Sequence, residues 1–351
     1  VLPEEFARGW RELARRMNDV GLQVGDRVIL AYGNGPGFIA CWAAVLAQGG
    51  SPLFVHVDTP PAELRRMVQR FRARFIVTDA VEVARLEEVG AWATKLHGPR
   101  WAPVVWADFG DLIDPGDGQF YELPGVPLHP TSGTTGTPKV AVRPAATAIA
   151  EVTNYVDTVG VDEADTMLAA APMSHAFAHG WCVVTPMLTH ADVVTMRRFN
   201  EKKVFEACQQ FGITIFPAAA PMLNTLLFGA GDRLFKPSRR VFTGGAPLLQ
   251  RIAANFERVS GSPVRPLYGS TETGAIAVAR AKDPTAIGGC VGAPFCGVTV
   301  ELRTPEDRTE FDEGVGLVHV RSESLMAGYL VDERLEKSAI EDGWFNTGDL
   351  G

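Results

Sequence analysis

"HPTSGTTGTPKV", residues 129–140, holds the chemistry on which the reading of this chain turns. Every position of 131–136 is Gly, Ser or Thr, and one lysine, Lys139, follows closely. A loop that binds phosphate needs backbone N–H groups turned inward and a nearby cation. Glycine permits the backbone angles this requires. Gly133 and Gly136 supply that freedom, Ser132, Thr134, Thr135 and Thr137 supply hydroxyls, and Lys139 supplies charge. The composition fits a triphosphate cradle, and a flexible hairpin shares it. A Walker loop does not fit: that motif is GxxxxGK[ST] and opens straight into a helix. Here Pro138 precedes the lysine and "VAV" continues as strand. "GNGPG" at 33–37 lacks GxGxxG spacing and contains Pro36, so it reads as a strand-to-helix turn.

Working outward from the loop, short apolar strands alternate with amphipathic helices. Before it, Phe6, Trp10, Leu13, Ala14 and Met17 share one helical face. "VGDRVILAY" is then extended, "GFIACWAAVLAQ" helical, "SPLFVHV" extended, "PPAELRRMVQRF" helical and "ARFIVTD" extended. After it, "AATAIAEVTNYV", "NEKKVFEACQQFG" and "APLLQRIAANFERV" read as helices between the strands "ADVVTM", "ITIFPA", "RRVFTGG" and "SPVRPLYG". Asn200 suits an N-cap and Gly212 a C-terminal stop. This alternation implies covered, largely parallel sheets. From about residue 287, glycine-punctuated strands with few helix signals imply a small antiparallel barrel or sheet. Residues 106–127 read as a connecting segment.

At 351 residues the chain exceeds the size of a single core, so two or more subdomains are expected. A net charge of -8 argues against nucleic acid, which draws on clustered Lys and Arg. The basic run at 65–74 is interleaved with apolar residues and reads as a solvated helix face. Cys41, Cys182, Cys208, Cys290 and Cys296 form no CxxC, as expected of buried free thiols in a reducing cytoplasm. His175 and His179 stand at i, i+4 without an HExxH frame, so no zinc site is expected. The acidic start "VLPEEFARGW" is unlike a signal peptide. The uncharged stretch 166–191 contains prolines and histidines, and reads as a buried segment rather than a membrane span.

With these residues in view, "TSGTTGTPKV" resembles the signature loop of adenylate-forming enzymes: acyl- and aryl-CoA ligases, luciferases and peptide-synthetase adenylation domains. Further matches follow in the family's order. "APMSHAFAHG" (171–180) resembles its Pro-x-x-His segment, "TGGAPL" (243–248) its adenine-contacting turn, "YGSTETG" (268–274) its Tyr-Gly-x-Thr-Glu motif and "FNTGDLG" (345–351) its Thr-Gly-Asp motif. "GLVHVRSESLMAGYL" (316–330) is similar to the strand pair before the last motif, and the early stretch 25–55 to the first subdomain. The resemblance implies an α/β fold: two β-sheets flanked by helices in a layered αβαβα body, plus a small antiparallel β-barrel-like subdomain. It divides the N-terminal adenylation core at 1–127, 128–286 and 287–351, with the family's C-terminal domain absent.

The resemblance also implies roles. Such enzymes join a carboxylate to the α-phosphate of ATP, release pyrophosphate, and pass the acyl group to a thiol such as CoA. ATP/AMP binding falls to Thr131, Ser132, Gly133, Thr134, Thr135, Gly136 and Lys139 around the phosphates. Gly245, Ala246 and Pro247 lie against adenine, Tyr268 and Gly269 across from them, and Asp349 on both ribose hydroxyls. Thr271 bonds the α-phosphate and Glu272 holds Mg2+, a hard cation suited to carboxylate oxygen. His175 falls at the acyl pocket, where an imidazole orients the carboxylate; a core histidine fits the same position. Ala176, Gly180, Gly244, Leu267 and Ser270 complete the lining. Relatives that activate amino acids carry an aspartate near here, and 166–191 contains no acid, which favours an acyl or aryl acid.

Two departures qualify the resemblance. The family's catalytic lysine lies on the C-terminal domain, so residues 1–351 alone are expected to bind ATP or acyl-adenylate but adenylate poorly. Val140 stands where relatives most often have glycine, which stiffens the strand leaving the loop. Three functions remain open on sequence: a cytoplasmic AMP-forming acid–thiol ligase, an enzyme that only transfers a preformed adenylate to CoA or a carrier protein, and a catalytically silent acyl- or nucleotide-binding module.

Overall fold

The alternating pattern folds as the periodicities predict. The computed structural model describes residues 1–79, 92–96, 99–110, 125–131, 139–230, 240–280, 290–304, 314–331 and 334–351. They form two compact units. The first comprises Val1–Ala145, Pro172–His175 and Tyr329–Leu335, and the second Ala146–Ala171, Ala176–Gly328 and Glu336–Gly351.

In the first unit, α1 (Pro3–Asp19), β1 (Arg27–Ala31), α2 (Pro36–Ala47), β2 (Ser51–Phe54), α3 (Pro61–Phe71) and β3 (Phe75–Thr78) follow in turn. Then come β4 (Trp92–Leu96), β5 (Val104–Asp108), β6 (Leu128–Pro130) and β7 (Val140–Val142). α1 buries Leu13, Ala14 and Met17, leaving Phe6 and Trp10 half-buried. Each of the three helices begins on a proline, whose missing N–H costs nothing in a first turn. β1 is buried along its whole length between β2 and β3, both parallel to it. β5 pairs antiparallel with β3 and β4, so Trp106–Asp108 belong to a strand and not to the connecting segment expected there. β6 and β7 are antiparallel too, which makes this sheet mixed.

The second unit runs through α4 (Ala145–Val159), β8 (Thr166–Ala169) and α5 (Ala176–His179). α5 passes through one π-turn, Gly180–Val184, into α6 (Thr185–Thr189). β9 (Asp192–Thr195), α7 (Glu201–Gln210), β10 (Ile215–Pro217), α8 (Ala220–Ala230), β11 (Arg240–Thr243), α9 (Gln250–Ser260), β12 (Val264–Ser270), β13 (Gly274–Val278) and β14 (Ala293–Pro294) complete a seven-stranded sheet. Its order is β14-β13-β12-β11-β10-β8-β9, parallel from β9 to β12 and antiparallel beyond. Asn200 caps α7 by accepting from Lys203 N at 3.1 Å, and Gly212 follows the helix with φ +59°. Val204 of α7, Leu223 of α8 and Phe256 of α9 pack on Leu168, Phe216 and Val241 of the sheet.

The final segment gives β15 (Val298–Arg303), β16 (Leu317–Ser322), β17 (Gly328–Val331), β18 (Arg334–Glu336), β19 (Ile340–Glu341) and β20 (Trp344–Leu350). β17 and β18 join the first unit's sheet, whose order is β18-β17-β7-β6-β2-β1-β3-β5-β4. The others form an antiparallel sheet, β15-β16-β20-β19. It is an open sheet, so among the described residues the β-rich part is not a barrel. No helix among the described residues is long and apolar enough to cross a membrane. Cys41 and Cys182 are buried and Cys208 partly so, but Cys290 and Cys296 are exposed, contrary to the expectation of burial.

Candidate functional site

The end of β12 is shaped by a bulge. Its antiparallel register with β13 shifts between Tyr268 and Gly269, and the chain then turns through 271–273. Side chains lock this turn. Ser270 Oγ accepts from Glu272 N at 3.2 Å and Thr273 N at 3.3 Å, while Ser270 N donates to Thr273 Oγ1 at 3.1 Å. The segment before β17 braces it from outside. Ser324, fully buried, donates its hydroxyl to Thr273 O at 2.8 Å. Met326 N donates to Glu272 O at 2.7 Å. With the backbone so held, the half-buried side chains of Thr271 and Glu272 stand on a rigid support. The Ser270 hydroxyl, expected in an acyl pocket, is occupied within the turn.

Asp349 lies on β20, in an exposed stretch. The Tyr268 hydroxyl donates to its Oδ2 at 2.7 Å. Burial, and then the bond to Asp349, raises the Tyr268 pKa, so the phenol stays a donor. Gly245, Ala246 and Pro247 follow β11; all three are exposed, with Gly245 in the left-handed region at φ +79°. At Gly244 a Cβ would lie 3.1 Å from Leu267 O and 3.4 Å from Phe177 Cε2. Leu267 is itself buried.

Of the opening loop, Thr131 and Lys139 are described, while Ser132, Gly133, Thr134, Thr135 and Gly136 lie outside the described residues. Thr131 N donates to Lys139 O at 2.8 Å, closing the base of the loop between the antiparallel strands β6 and β7. Strand rather than helix follows the lysine. The Lys139 ammonium stands 4.8 Å from the centre of the Tyr329 ring, on an exposed residue. Val140 is fully buried in β7.

His175 closes a turn in the first unit, its backbone N–H donating to Pro172 O at 3.0 Å. Asn34, from the "GNGPG" turn, accepts from Met173 N at 2.8 Å and so ties that turn in place. His175 is exposed, but the protein around its ring still removes some of its water, which lowers its pKa, and His56, 6.3 Å away between ring centres, lowers it further. Asp58 N donates to His56 Nδ1 at 3.1 Å. Folding thus favours neutral His175. The unfolded chain binds more protons below about pH 6.5, so this residue's effect is to make stability fall as pH drops through that value. His175→Gln should flatten the slope, measured as denaturation midpoints from about pH 7.5 down to about pH 5.5; an unchanged slope would contradict it.

Ala176 opens α5, half-buried. Gly180 begins the π-turn and is packed inward, where a Cβ would stand 3.3 Å from both Glu151 Oε1 and Tyr155 Oη. Tyr155 donates to Glu151 at 2.6 Å and stacks on Trp181 with ring centres 4.1 Å apart. Sequence reasoning passed over Asn34, His56, Ser324 and Glu151. Only Asn34 lies in a stretch that composition singled out, the "GNGPG" turn.

Comparison with known proteins decides the family. The profile of the AMP-binding enzyme family matches residues 4–330. The chain belongs to that family. Among curated AMP-binding relatives it is 23% identical to 4-coumarate–CoA ligase CCL1 of Humulus lupulus, over 97% of this chain and 66% of that protein. It is 26% identical to 4-coumarate–CoA ligase 3 of Oryza sativa subsp. japonica, over 97% of this chain and 65% of that one. The chain thus spans about two thirds of the length of these relatives. ATP-bound MatB from Rhodopseudomonas palustris superposes with a TM-score of 0.79 at 24% identity, over 99% of this chain and 70% of that chain. The N-terminal domain of FACL13 from Mycobacterium tuberculosis gives 0.81 at 20%, over 99% and 88%. These structural likenesses establish the α/β fold of the AMP-binding core.

Proposed function

We propose that this chain is the adenylation core of an acid–thiol ligase, with subdomains at 1–127, 128–286 and 287–351. In this reading a carboxylate oxygen of an acyl or aryl acid attacks the α-phosphorus of ATP. The bond to the bridging oxygen breaks and pyrophosphate leaves. The thiol of CoA then attacks the acyl carbon, loses its proton, and expels AMP. The observation that carries the reading is the braced turn at 270–273, which supports Thr271 and Glu272 through the Ser270, Thr273 and Ser324 hydroxyls.

Thr271 bonds the α-phosphate, Asp349 accepts from the ribose hydroxyls, and 245–247 with Tyr268 hold adenine. Thr131, Ser132, Gly133, Thr134, Thr135, Gly136 and Lys139 bind the phosphates that depart. Glu272 fits Mg2+, because a phosphate-borne Mg2+ needs only one or two protein carboxylates. When bound, that ion neutralises phosphate charge. His175, whose imidazole the fold favours in its neutral form, orients the incoming carboxylate, and Ala176, Gly180, Gly244, Leu267 and Ser270 serve as the acyl lining. Reliance on ATP and CoA suits a cytoplasmic setting.

Val140 favours a second reading. Buried in β7 where relatives most often have glycine, it stiffens the base of the phosphate loop. That suits an enzyme which only transfers a preformed adenylate to CoA or a carrier protein. Acid-dependent ATP–pyrophosphate exchange by the intact protein, across aliphatic and aromatic acids, separates the two. The first reading predicts exchange with at least one acid. Silence with all of them, alongside CoA transfer from synthetic adenylates, would replace it by the second.

A further inference from the structure

A lone carboxylate at the exposed position of Asp349 would turn among its staggered rotamers. This one is held from both ends. Asp349 N donates to Thr347 Oγ1 at 3.1 Å, and the Thr347 hydroxyl donates in turn to Val318 O at 3.0 Å. Gly348 makes the intervening turn, with φ +78° and its N–H on Asn346 Oδ1 at 2.9 Å. At the far end of the side chain, the Tyr268 hydroxyl donates to Oδ2 at 2.7 Å, joining β12 to β20. An O–H bond to a carboxylate is charge-assisted and among the stronger kinds.

A carboxylate has about four lone-pair sites. Tyr268 uses one, on Oδ2, and leaves more than a vicinal diol requires. We propose that the Tyr268 hydroxyl is a positioning group that sets Asp349 for the two ribose hydroxyls, and so makes the site select ribonucleotides over deoxyribonucleotides. The inference rests on reading Tyr268 and Asp349 as part of a nucleotide site. It gives the two halves of one side chain separate work. The ring contributes contact area for a base, whatever its sugar, while the hydroxyl contributes only through Asp349.

Tyr268→Phe separates these halves, because it keeps the ring and removes the donor. The test is calorimetric binding of AMP, 2′-deoxy-AMP and 3′-deoxy-AMP to the intact protein and its variants. Tyr268→Phe should weaken AMP by about tenfold, the usual effect of losing a bond to a charged group. It should weaken the deoxy analogues far less, so that the preference for AMP shrinks by most of that factor. In an Asp349→Ala background the same change should have almost no further effect on AMP. A structural role for the hydroxyl would weaken all three nucleotides alike. That result, or an unchanged preference for AMP in Tyr268→Phe while Asp349→Ala weakens AMP, overturns the inference and leaves the nucleotide site standing. Failure of the wild type to bind AMP, or indifference of AMP binding to Asp349→Ala, overturns the nucleotide reading itself. Should Tyr268→Phe unfold, Tyr268→Leu makes the same test through ratios: loss of the ring weakens all three nucleotides alike, so the preference for AMP over the deoxy analogues should still shrink by most of that factor, and an unchanged preference overturns the inference.

Discussion

Gly269→Ala should destabilise the protein by about 3 kcal/mol and abolish nucleotide binding, the largest effect expected of any single methyl group at this site. A Cβ at Gly269 would lie 2.4 Å from Gly274 O and 3.0 Å from Ala275 Cα. Both are backbone atoms of β13, which is paired on its other edge with β14 and has little room to retreat. The clash can be relieved only by prising β12 from β13 at the bulge, and that movement displaces Tyr268, Thr271 and Glu272 together. Gly245→Ala is the matched comparison. It also sits near the proposed adenine contact and has a positive φ, but a Cβ there meets nothing within 4 Å. Its cost is the left-handed strain of one residue, about 1 kcal/mol. Denaturant unfolding of both variants checks the pair. Equal losses would mean that the close approach of β12 and β13 does not constrain the site.

Glu272→Gln should lower the turnover of acid activation by about 10²-fold or more while leaving AMP binding nearly intact. The substitution keeps shape and hydrogen-bonding capacity, and the backbone bond from Met326 N to Glu272 O does not involve the side chain. What is lost is one negative charge, and with it, in the proposed function, a hard ligand for Mg2+. AMP lacks the departing phosphates that the ion would serve, so its binding isolates the nucleotide subsite from the activation step. Steady-state rates over a Mg2+ titration, beside AMP calorimetry, read both quantities. A loss of turnover below about tenfold would remove Glu272 from the reaction.

Much of this was legible in the sequence, for identifiable reasons. Helices such as α7 and α9 announce themselves because apolar residues recur at helical spacing, and α7 also has a cap and a stop in Asn200 and Gly212. β1 and β3 are equally plain as short apolar runs. Local pattern fails where pairing decides the outcome. Trp106–Asp108 open a stretch rich in Pro, Gly and Asp, and become strand only because β3 and β4 lie on either side. Nor does strand texture distinguish an open sheet from a barrel, since closure depends on which edges meet.

The same limit applies at the site. Tyr268, Thr271, Glu272 and Asp349 were readable as residue types in motifs. Their supports were not. Ser324 reaches Thr273 from a distant segment, and nothing in "SESLMAGYL" marks that serine as a brace. Asn34 holds the Met173 amide across a still longer separation. His56 comes beside His175 only through the path of the folded chain. A single buried side chain that acts through tertiary contact leaves no periodic trace, however much it contributes.

The most direct test of the central claim follows the substrate oxygen. The intact protein is given ATP, CoA and an acid labelled with ¹⁸O in both carboxylate positions, and the AMP formed is weighed by mass spectrometry. If a carboxylate oxygen attacks the α-phosphorus and the thiol later attacks the acyl carbon, each AMP should carry one labelled oxygen and the thioester should keep the other. Unlabelled AMP, or label delivered instead to the released phosphates, would contradict acyl-adenylate formation and with it this account of the chain.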